Sequence, residues 1–286
     1  MAQETYYKVL AQAKQTLDQQ GIAFDDLMYV FLQRQNWTQT DYLVQQQQIM
    51  PAAVQQQLEQ DIAALAKHVP PQYIVHQAWF YGRPFYVDDR VLIPQYDTEN
   101  LVAWVLADFP ENKALRVLDI GTGSGVLAVT LKLARPNWQV MATDISSAAL
   151  TVAERNAKAL GAQVAFRQGD LLAPVVGQRF DIIVSNPPYI SRREKAVMDA
   201  SVLEYEPHLA LFAENNGLSF YQRFFKTVAP YLTFAGTFYL EFGFQQKAAL
   251  KKLTTQLLPR AEIAFRQDLA GQDRLLRGKI ISEESR

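Results

Sequence analysis

The sequence predicts an α/β protein: a small all-α domain, a β-hairpin, and then a sheet wound with helices. Three observations carry this. Before Gln77, apolar residues recur at helical spacing. From Arg116 onward, short apolar runs alternate with amphipathic segments, the pattern of parallel strands joined by crossover helices. The first of those runs also ends in a glycine-rich turn, Gly121-Thr122-Gly123-Ser124-Gly125. The expected boundaries are 1–77 for the helical domain, 78–94 for a hairpin linker and 95–286 for the sheet domain.

The elements follow in order. Tyr6, Val9, Leu10, Ala13 and Leu17 mark one helix, which Gly21 ends. Asp25-Asp26 opens a second, Leu27 to Leu32. Thr38 to Asp41 reads as an N-terminal cap before Tyr42-Leu43-Val44. Pro51 starts another helix, carrying Val54, Leu58, Ile62 and Leu65, which stops before Pro70-Pro71. Phe80 to Val87 and Val91 to Ile93 form two β-rich runs, with Asp88-Asp89 as the expected hairpin turn. Asp97-Thr98-Glu99 leads into a helix over Leu101 to Leu106.

Seven strands are then expected. They are Arg116–Ile120, Gln139–Thr143, Gln163–Arg167, Phe180–Ser185, Thr237–Phe242, and two short late ones, Glu262–Phe265 and Arg274–Arg277. Helices are expected at Ser124–Leu133, Ser146–Leu160, Gly217–Tyr231 and Gln245–Leu257.

Composition removes several classes of function. A formal net charge of -1 over 286 residues offers no global basic field for a long polyanion. There are no cysteines, which excludes disulfides, thiolate catalysis and cysteine zinc sites. His68, His76 and His208 match no metal-ligand spacing, so no metal is expected. The opening residues, Met1-Ala2-Gln3-Glu4-Thr5, lack the basic and apolar regions of a leader, and no run is long enough to span a bilayer. A cytoplasmic protein is the expectation.

The glycine turn points to a ligand. Glycines let the backbone approach a small molecule and adopt positive φ, and the next helix presents its N-terminus there. Asp144, at the end of the second strand, suits ribose hydroxyls. The dinucleotide fingerprint needs a glycine at 126, where Val126 stands, and the phosphate-loop lysine pattern is absent. Asp119 would repel a pyrophosphate but suits an ammonium group. S-adenosylmethionine, with an ammonium, a sulfonium and no phosphate, fits this set better than a nicotinamide cofactor. Asp170-Leu171 lies at the same edge and would bracket the adenine, although Asp170 equally suits a turn cap.

The fourth strand runs into Ser185-Asn186-Pro187-Pro188-Tyr189-Ile190. Two prolines send the chain off the sheet in one rigid direction, and Asn186, preceding a proline, is held out of the α region. That geometry serves as an ordinary strand-ending turn or presents an amide and carbonyls to a flat NH₂ group.

The chain resembles the release factor glutamine methyltransferases, the PrmC/HemK family. The resemblance rests on the helical module, Phe80-Tyr81-Gly82, Val91-Leu92-Ile93-Pro94, the glycine loop and Asn186-Pro187-Pro188-Tyr189-Ile190. It extends through Tyr205-Glu206-Pro207, Gly217-Leu218, Phe220-Tyr221 and Asp268-Leu269-Ala270-Gly271. It implies a Rossmann-like class I methyltransferase fold with a seven-stranded mixed sheet. It also implies methyl transfer from S-adenosylmethionine to the glutamine amide of the Gly-Gly-Gln motif of class-1 peptide chain release factors, with the helical domain positioning that substrate. The residues implied for the cofactor are Gly121, Thr122, Gly123, Ser124, Gly125, Asp144, Leu171 and Asn186. Those implied for the glutamine are Asn186, Pro187, Pro188 and Tyr189. Of these, the Asn186 side-chain oxygen and the Pro187 carbonyl would accept the amide hydrogens, and Tyr189 would stack on the amide plane. The family usually reads Arg-Pro where this chain has Gln95-Tyr96, and glycine where it has His76.

Two other readings use the same residues. An adenine-N6 nucleic-acid methyltransferase shares the Asn-Pro-Pro-Tyr motif, since an exocyclic amine resembles an amide; the acidic balance and the lack of a basic recognition domain oppose a nucleic-acid target. A cofactor-binding protein without turnover is the third.

Overall fold

The computed structural model describes residues 4–109 and 113–281; residues 1–3, read above for a leader, lie outside them. The chain divides into two compact units. One comprises residues 1–77 together with Asp199–Tyr205, and the other comprises 78–198 with 206–286.

In the first unit the predicted spacing folds as α1 (Tyr6–Gln19), α2 (Phe24–Gln35), α3 (Gln39–Gln45) and α4 (Ala52–Leu65), followed by a single turn, α5 (Pro71–Val75). Thr38 and Asp41 close a reciprocal capping box on α3. Leu10, Leu17, Leu27, Phe31, Leu58 and Leu65 pack the interior. Asp61 is buried among them and accepts two bonds from Arg34, both 2.8 Å. α5 was not separately expected, because Pro70-Pro71 reads as a stop; Pro71 instead occupies the first helical turn, where its missing N–H costs nothing. His76 ends α5 in the left-handed region, φ 53°. The short helix Ala200–Tyr205 also belongs to this unit, and the Tyr205 hydroxyl donates to the Lys67 carbonyl at 2.7 Å.

The second unit opens with β1 (Ala78–Phe80) and β2 (Arg83–Phe85), antiparallel partners. The hairpin turn is Tyr81-Gly82, both at positive φ, and not Asp88-Asp89 as expected. Asp88 to Val91 does form a hydrogen-bonded turn, but no strands flank it. Val87 and Val91 are buried all the same, which explains their strand-like residue type although neither lies in a strand.

The sheet has seven strands in the order β5-β4-β3-β6-β7-β9-β8. β3 (Arg116–Ile120), β4 (Gln139–Asp144), β5 (Val164–Gln168), β6 (Phe180–Ser185) and β7 (Leu232–Glu241) run parallel. β8 (Ala261–Gln267) and β9 (Asp273–Ile280) close one side antiparallel, making the sheet mixed. These last two are longer than expected because they pair along their whole length as a hairpin.

Side chains alternate between faces. Val117, Ile182, Val184 and Tyr239 pack on one face with α6 (Tyr96–Asp108) and α7 (Val126–Ala134). Leu118, Ile183, Phe238 and Leu240 pack on the other with Tyr221, Phe224 and Phe225 of the helix Ser219–Thr227. α8 (Ser147–Leu160) links β4 to β5. Strand order reverses direction at β3, between β4 and β6, so the carboxyl ends of β3, β4 and β6 open onto a crevice where ligands of such sheets bind.

Candidate active site

At the end of β3 the chain turns through Gly121, Gly123 and Gly125, with φ of 69°, 55° and 85°. A Cβ on Gly121 or Gly123 would meet nothing within 4 Å and would project into open space, whereas one on Gly125 would crowd Ala153 at 3.1 Å. The first two glycines therefore leave room for a ligand, and the third lets α7 pack on α8. Asp119 is wholly buried beneath the loop. Its Oδ2 accepts from the Thr122 hydroxyl at 2.6 Å and the Ala128 N–H at 3.2 Å, and Oδ1 has no hydrogen-bond partner among the described residues. Burial pushes this carboxyl up to about 7. Asp119 thus braces the loop from behind and does not face a ligand as the sequence suggested.

Asp144 ends β4 across from the loop. Its carboxylate accepts from the Gly123 N–H and the Ser146 N–H, both at 2.9 Å, and burial raises its pKa. Asn156 of α8 ties the loop down further, donating to the Ser124 carbonyl at 2.8 Å and the Tyr86 carbonyl at 2.9 Å.

At the end of β6, Ser185 donates to the Ile120 carbonyl at 2.6 Å and locks the two strand ends together. Asn186 Nδ2 donates to Thr98 Oγ1 at 2.9 Å. The Thr98 hydroxyl in turn donates to Glu241 Oε2 at 2.6 Å, and the Tyr189 hydroxyl donates to Glu241 Oε1 at 3.1 Å. Glu241 is buried at the end of β7, and burial pushes its carboxyl up to about 7. Burial and the adjacent Glu241 charge drive the Tyr189 phenol well above its ordinary value. The motif backbone is held from behind as well: Gln246 Nε2 donates to the Tyr189 carbonyl at 2.9 Å, and Gly217 sits directly against that oxygen.

These elements enclose a cavity of about 400 Å³. Of the predicted residues, Gly121, Thr122, Gly123, Ser124, Asp144, Leu171, Asn186 and Pro188 line it. Gly125, Pro187 and Tyr189 lie off its wall, Pro187 buried and Tyr189 turned toward Glu241. Asp170 lines the rim and is paired with Arg223, both half exposed. Thr98 and Gln95 also line the cavity. The sequence marks Thr98 only as part of a helix start and does not mark Glu241. The only signal for Glu241 is an acidic residue closing an otherwise apolar strand, Phe238 to Leu240.

Two family models match. The PrmC N-terminal domain covers residues 8–75 and the methyltransferase small domain covers 101–209. The release factor glutamine methyltransferase of Enterococcus faecalis is 47% identical over 94% of this chain and 97% of its own length. That of Streptococcus pneumoniae is 40% identical over 94% and 96%. The chain belongs to the release factor glutamine methyltransferase family. Among solved structures, the hMettl16 catalytic domain in complex with MAT2A 3'UTR hairpin 6 shares the fold, with a TM-score of 0.56 at 17% identity over 77% of this chain and 93% of that one.

The methyl donor of this chain is S-adenosylmethionine, and the cavity suits it. The open space above Gly121 and Gly123 admits a ligand against bare backbone, Asp144 offers a carboxylate for a ribose diol, and no phosphate-binding lysine is present in the turn. Asp97, Thr98 and Glu99, which follow the Gln95-Tyr96 departure, each have a structural task. Asp97 pairs with Arg274 at 3.2 Å, Thr98 bridges Asn186 and Glu241, and Glu99 accepts the Tyr81 N–H at 2.7 Å in the hairpin turn. Where the family carries Arg-Pro, Gln95 donates to the Ile93 carbonyl at 2.9 Å and Tyr96 is largely exposed. The usual glycine at position 76 matches a left-handed backbone that His76 adopts at a cost of about 1–2 kcal/mol. Among the described residues no helix is long and apolar enough to cross a membrane, and no cluster of His, Asp or Glu could hold a metal.

Proposed function

We propose that this chain methylates the side-chain amide of a glutamine in class-1 peptide chain release factors, at the Gly-Gly-Gln motif, with Asn186 as the residue that holds the amide. The observation that carries this is the state of the Asn186 side chain. Its nitrogen is committed to Thr98, while no hydrogen bond among the described residues engages Oδ1, on a residue that lines the cavity. An acceptor in that place suits the N–H of an incoming carboxamide. Pro187 is buried off the cavity wall, so its carbonyl, next in the same rigid turn, would take the second amide hydrogen only from a glutamine that reaches past Asn186.

S-adenosylmethionine, when bound, supplies a methyl group activated on a sulfonium. Gly121, Gly123 and Ser124 would hold it against the loop backbone, Asp144 would take its ribose hydroxyls, and Leu171 would lie on its adenine. An amide nitrogen is a weak nucleophile because its lone pair is delocalised. Two acceptors on its hydrogens hold it in place and favour the positive charge that develops on nitrogen. No base need remove a proton beforehand; it can leave to water afterwards. Tyr189, anchored on Glu241, sets the shape of the turn beneath the amide and would offer its ring to the amide plane. The helical residues 1–77 would position the protein substrate.

The test is Asn186→Ala, assayed with a release factor and labelled S-adenosylmethionine. Turnover is expected to fall by about 100-fold or more, with cofactor affinity within about five-fold of wild type. Near-normal methylation by this variant sinks the role of Asn186. Label that persists after the Gly-Gly-Gln glutamine is replaced sinks the substrate.

A further inference from the structure

We propose that Thr98 and Glu241 are a positioning relay that fixes which way round the Asn186 amide faces, nitrogen inward and Oδ1 toward the cavity. The inference rests on the reading of Asn186 as the acceptor of a substrate amide. It concerns what makes Asn186 an acceptor rather than a donor.

A primary amide presents two nearly isosteric ends, and a half-turn about its last bond exchanges them. Such a group reads a ligand amide correctly only if something breaks the symmetry. Here hydrogen-bond polarity does so. An ionised carboxylate can only accept. Both Glu241 oxygens do: Oε2 from Thr98 at 2.6 Å and Oε1 from Tyr189 at 3.1 Å. The Thr98 hydroxyl has one hydrogen, and it goes to Glu241. What remains at Thr98 Oγ1 is a lone pair, so the group bonded to it must donate. Asn186 meets it with Nδ2 at 2.9 Å. The direction of every bond therefore follows from one buried charge.

Among the described residues Glu241 bonds through its carboxylate no side chains but those of Thr98 and Tyr189. It is buried, and the Tyr221 hydroxyl donates to its main-chain carbonyl at 2.6 Å, fixing the end of β7. Arg274 and Asp97 lie near enough to act on it electrostatically. A carboxyl in such a place is costly unless its bonds are well satisfied, and its bonds lead to the two polar side chains of the Asn-Pro-Pro-Tyr motif. Thr98 and Glu241 touch Asn186 and Tyr189 rather than the reacting atoms, so they are positioning residues.

Thr98→Val removes the hydroxyl at nearly constant shape, Thr98→Ser keeps it, and Glu241→Gln replaces one accepting oxygen by a donor. Full-length variants are compared at about pH 8.5, above the point to which burial pushes Glu241. Two readouts are taken. The first is the ¹⁵N side-chain amide resonance of Asn186, assigned by its loss in Asn186→Ala. The second is kcat with a release factor, alongside the Kd for S-adenosylmethionine. Thr98→Val is expected to move the Asn186 resonance and to lower kcat by about 10- to 100-fold with the cofactor Kd within about three-fold. Thr98→Ser is expected to restore both, and Glu241→Gln to lower kcat as Thr98→Val does.

An unmoved resonance in Thr98→Val, or wild-type kcat in that variant, overturns the relay. So does a loss of cofactor affinity in step with kcat, which marks Thr98 as merely structural. A wild-type protein that leaves release factors unmethylated overturns the functional reading instead, and the resonance still decides the relay.

Discussion

Replacing Gly217 by alanine puts a methyl group where the structure has no room. An ideal Cβ there lies 2.0 Å from the Tyr189 carbonyl oxygen and 2.5 Å from Gln246 Nε2. Contacts between such atoms settle near 3.5 Å, so the Tyr189 backbone or the 217 turn must move by roughly 1 Å or more. The shift breaks the 2.9 Å bond from Gln246 that holds Tyr189. The backbone adds a second cost, because φ at Gly217 is +80°, worth about 1–2 kcal/mol to any L residue. Overpacking of this kind adds about 1–3 kcal/mol. The sum, about 2–5 kcal/mol, predicts a fall in Tm of roughly 5–15 °C. Because the displaced backbone carries the Asn-Pro-Pro-Tyr turn, kcat should fall by about 100-fold in the folded fraction. Gly161→Ala is the control. Its φ is +73°, but a Cβ there meets nothing within 4 Å, so it should cost only the backbone term and leave kcat unchanged. Thermal denaturation and single-turnover methylation, measured on both variants, check this. A Gly217→Ala protein with wild-type kcat refutes the claim that the 217 turn sets the motif.

Three further outcomes are expected. Asp144→Ala removes the acceptor for Gly123 and Ser146 as well as the carboxylate facing the cavity, and titration calorimetry should show S-adenosylmethionine affinity weakened by about 10- to 100-fold; a Kd within two-fold would remove Asp144 from the site. Glu206, buried and accepting the Ile93 N–H at 3.1 Å, has its carboxyl pushed from 4.5 up to about 7 by burial. The folded state then binds the extra proton between those values, so this group's contribution is fully present below about pH 4.5 and is lost as pH rises through about 7. Glu206→Gln should therefore gain stability relative to wild type as pH rises across that window, by at most on the order of 3 kcal/mol, in urea titrations at several pH values; a constant difference refutes it. Arg34→Ala leaves Asp61 buried with Gln57 as its one remaining side-chain partner among the described residues, and should cost about 2–4 kcal/mol in thermal denaturation; a change under about 0.5 kcal/mol would show the pair to be idle.

The sheet was legible where sequence and burial share one period. Arg116–Ile120 and Phe180–Ser185 are predicted to the residue because each is a short, mostly apolar run that stops at Gly121 or just before Asn186-Pro187. The glycine turn and Asp144 were legible because they are local: five residues and one strand end define the pocket floor. The hairpin was misplaced because Asp88-Asp89 has turn chemistry, whereas Tyr81, an aromatic residue, adopts a left-handed conformation beside Gly82 that residue type does not announce. Asp119 was expected to face a ligand, but its position in the strand alternation turns it under the loop. The Thr98–Glu241 contact joins α6 to the end of β7, and no periodicity relates residues so far apart in the chain.

The first unit is not one continuous stretch. Asp199–Tyr205 belongs to it, yet β1 to β6 are made between this segment and Gln77. During synthesis residues 4–77 leave the ribosome early, but their unit lacks its last helix, and the Tyr205 bond to the Lys67 carbonyl, until more than half of the sheet has followed. The helical module is therefore finished late, after the glycine loop and the Asn-Pro-Pro-Tyr turn already exist as chain.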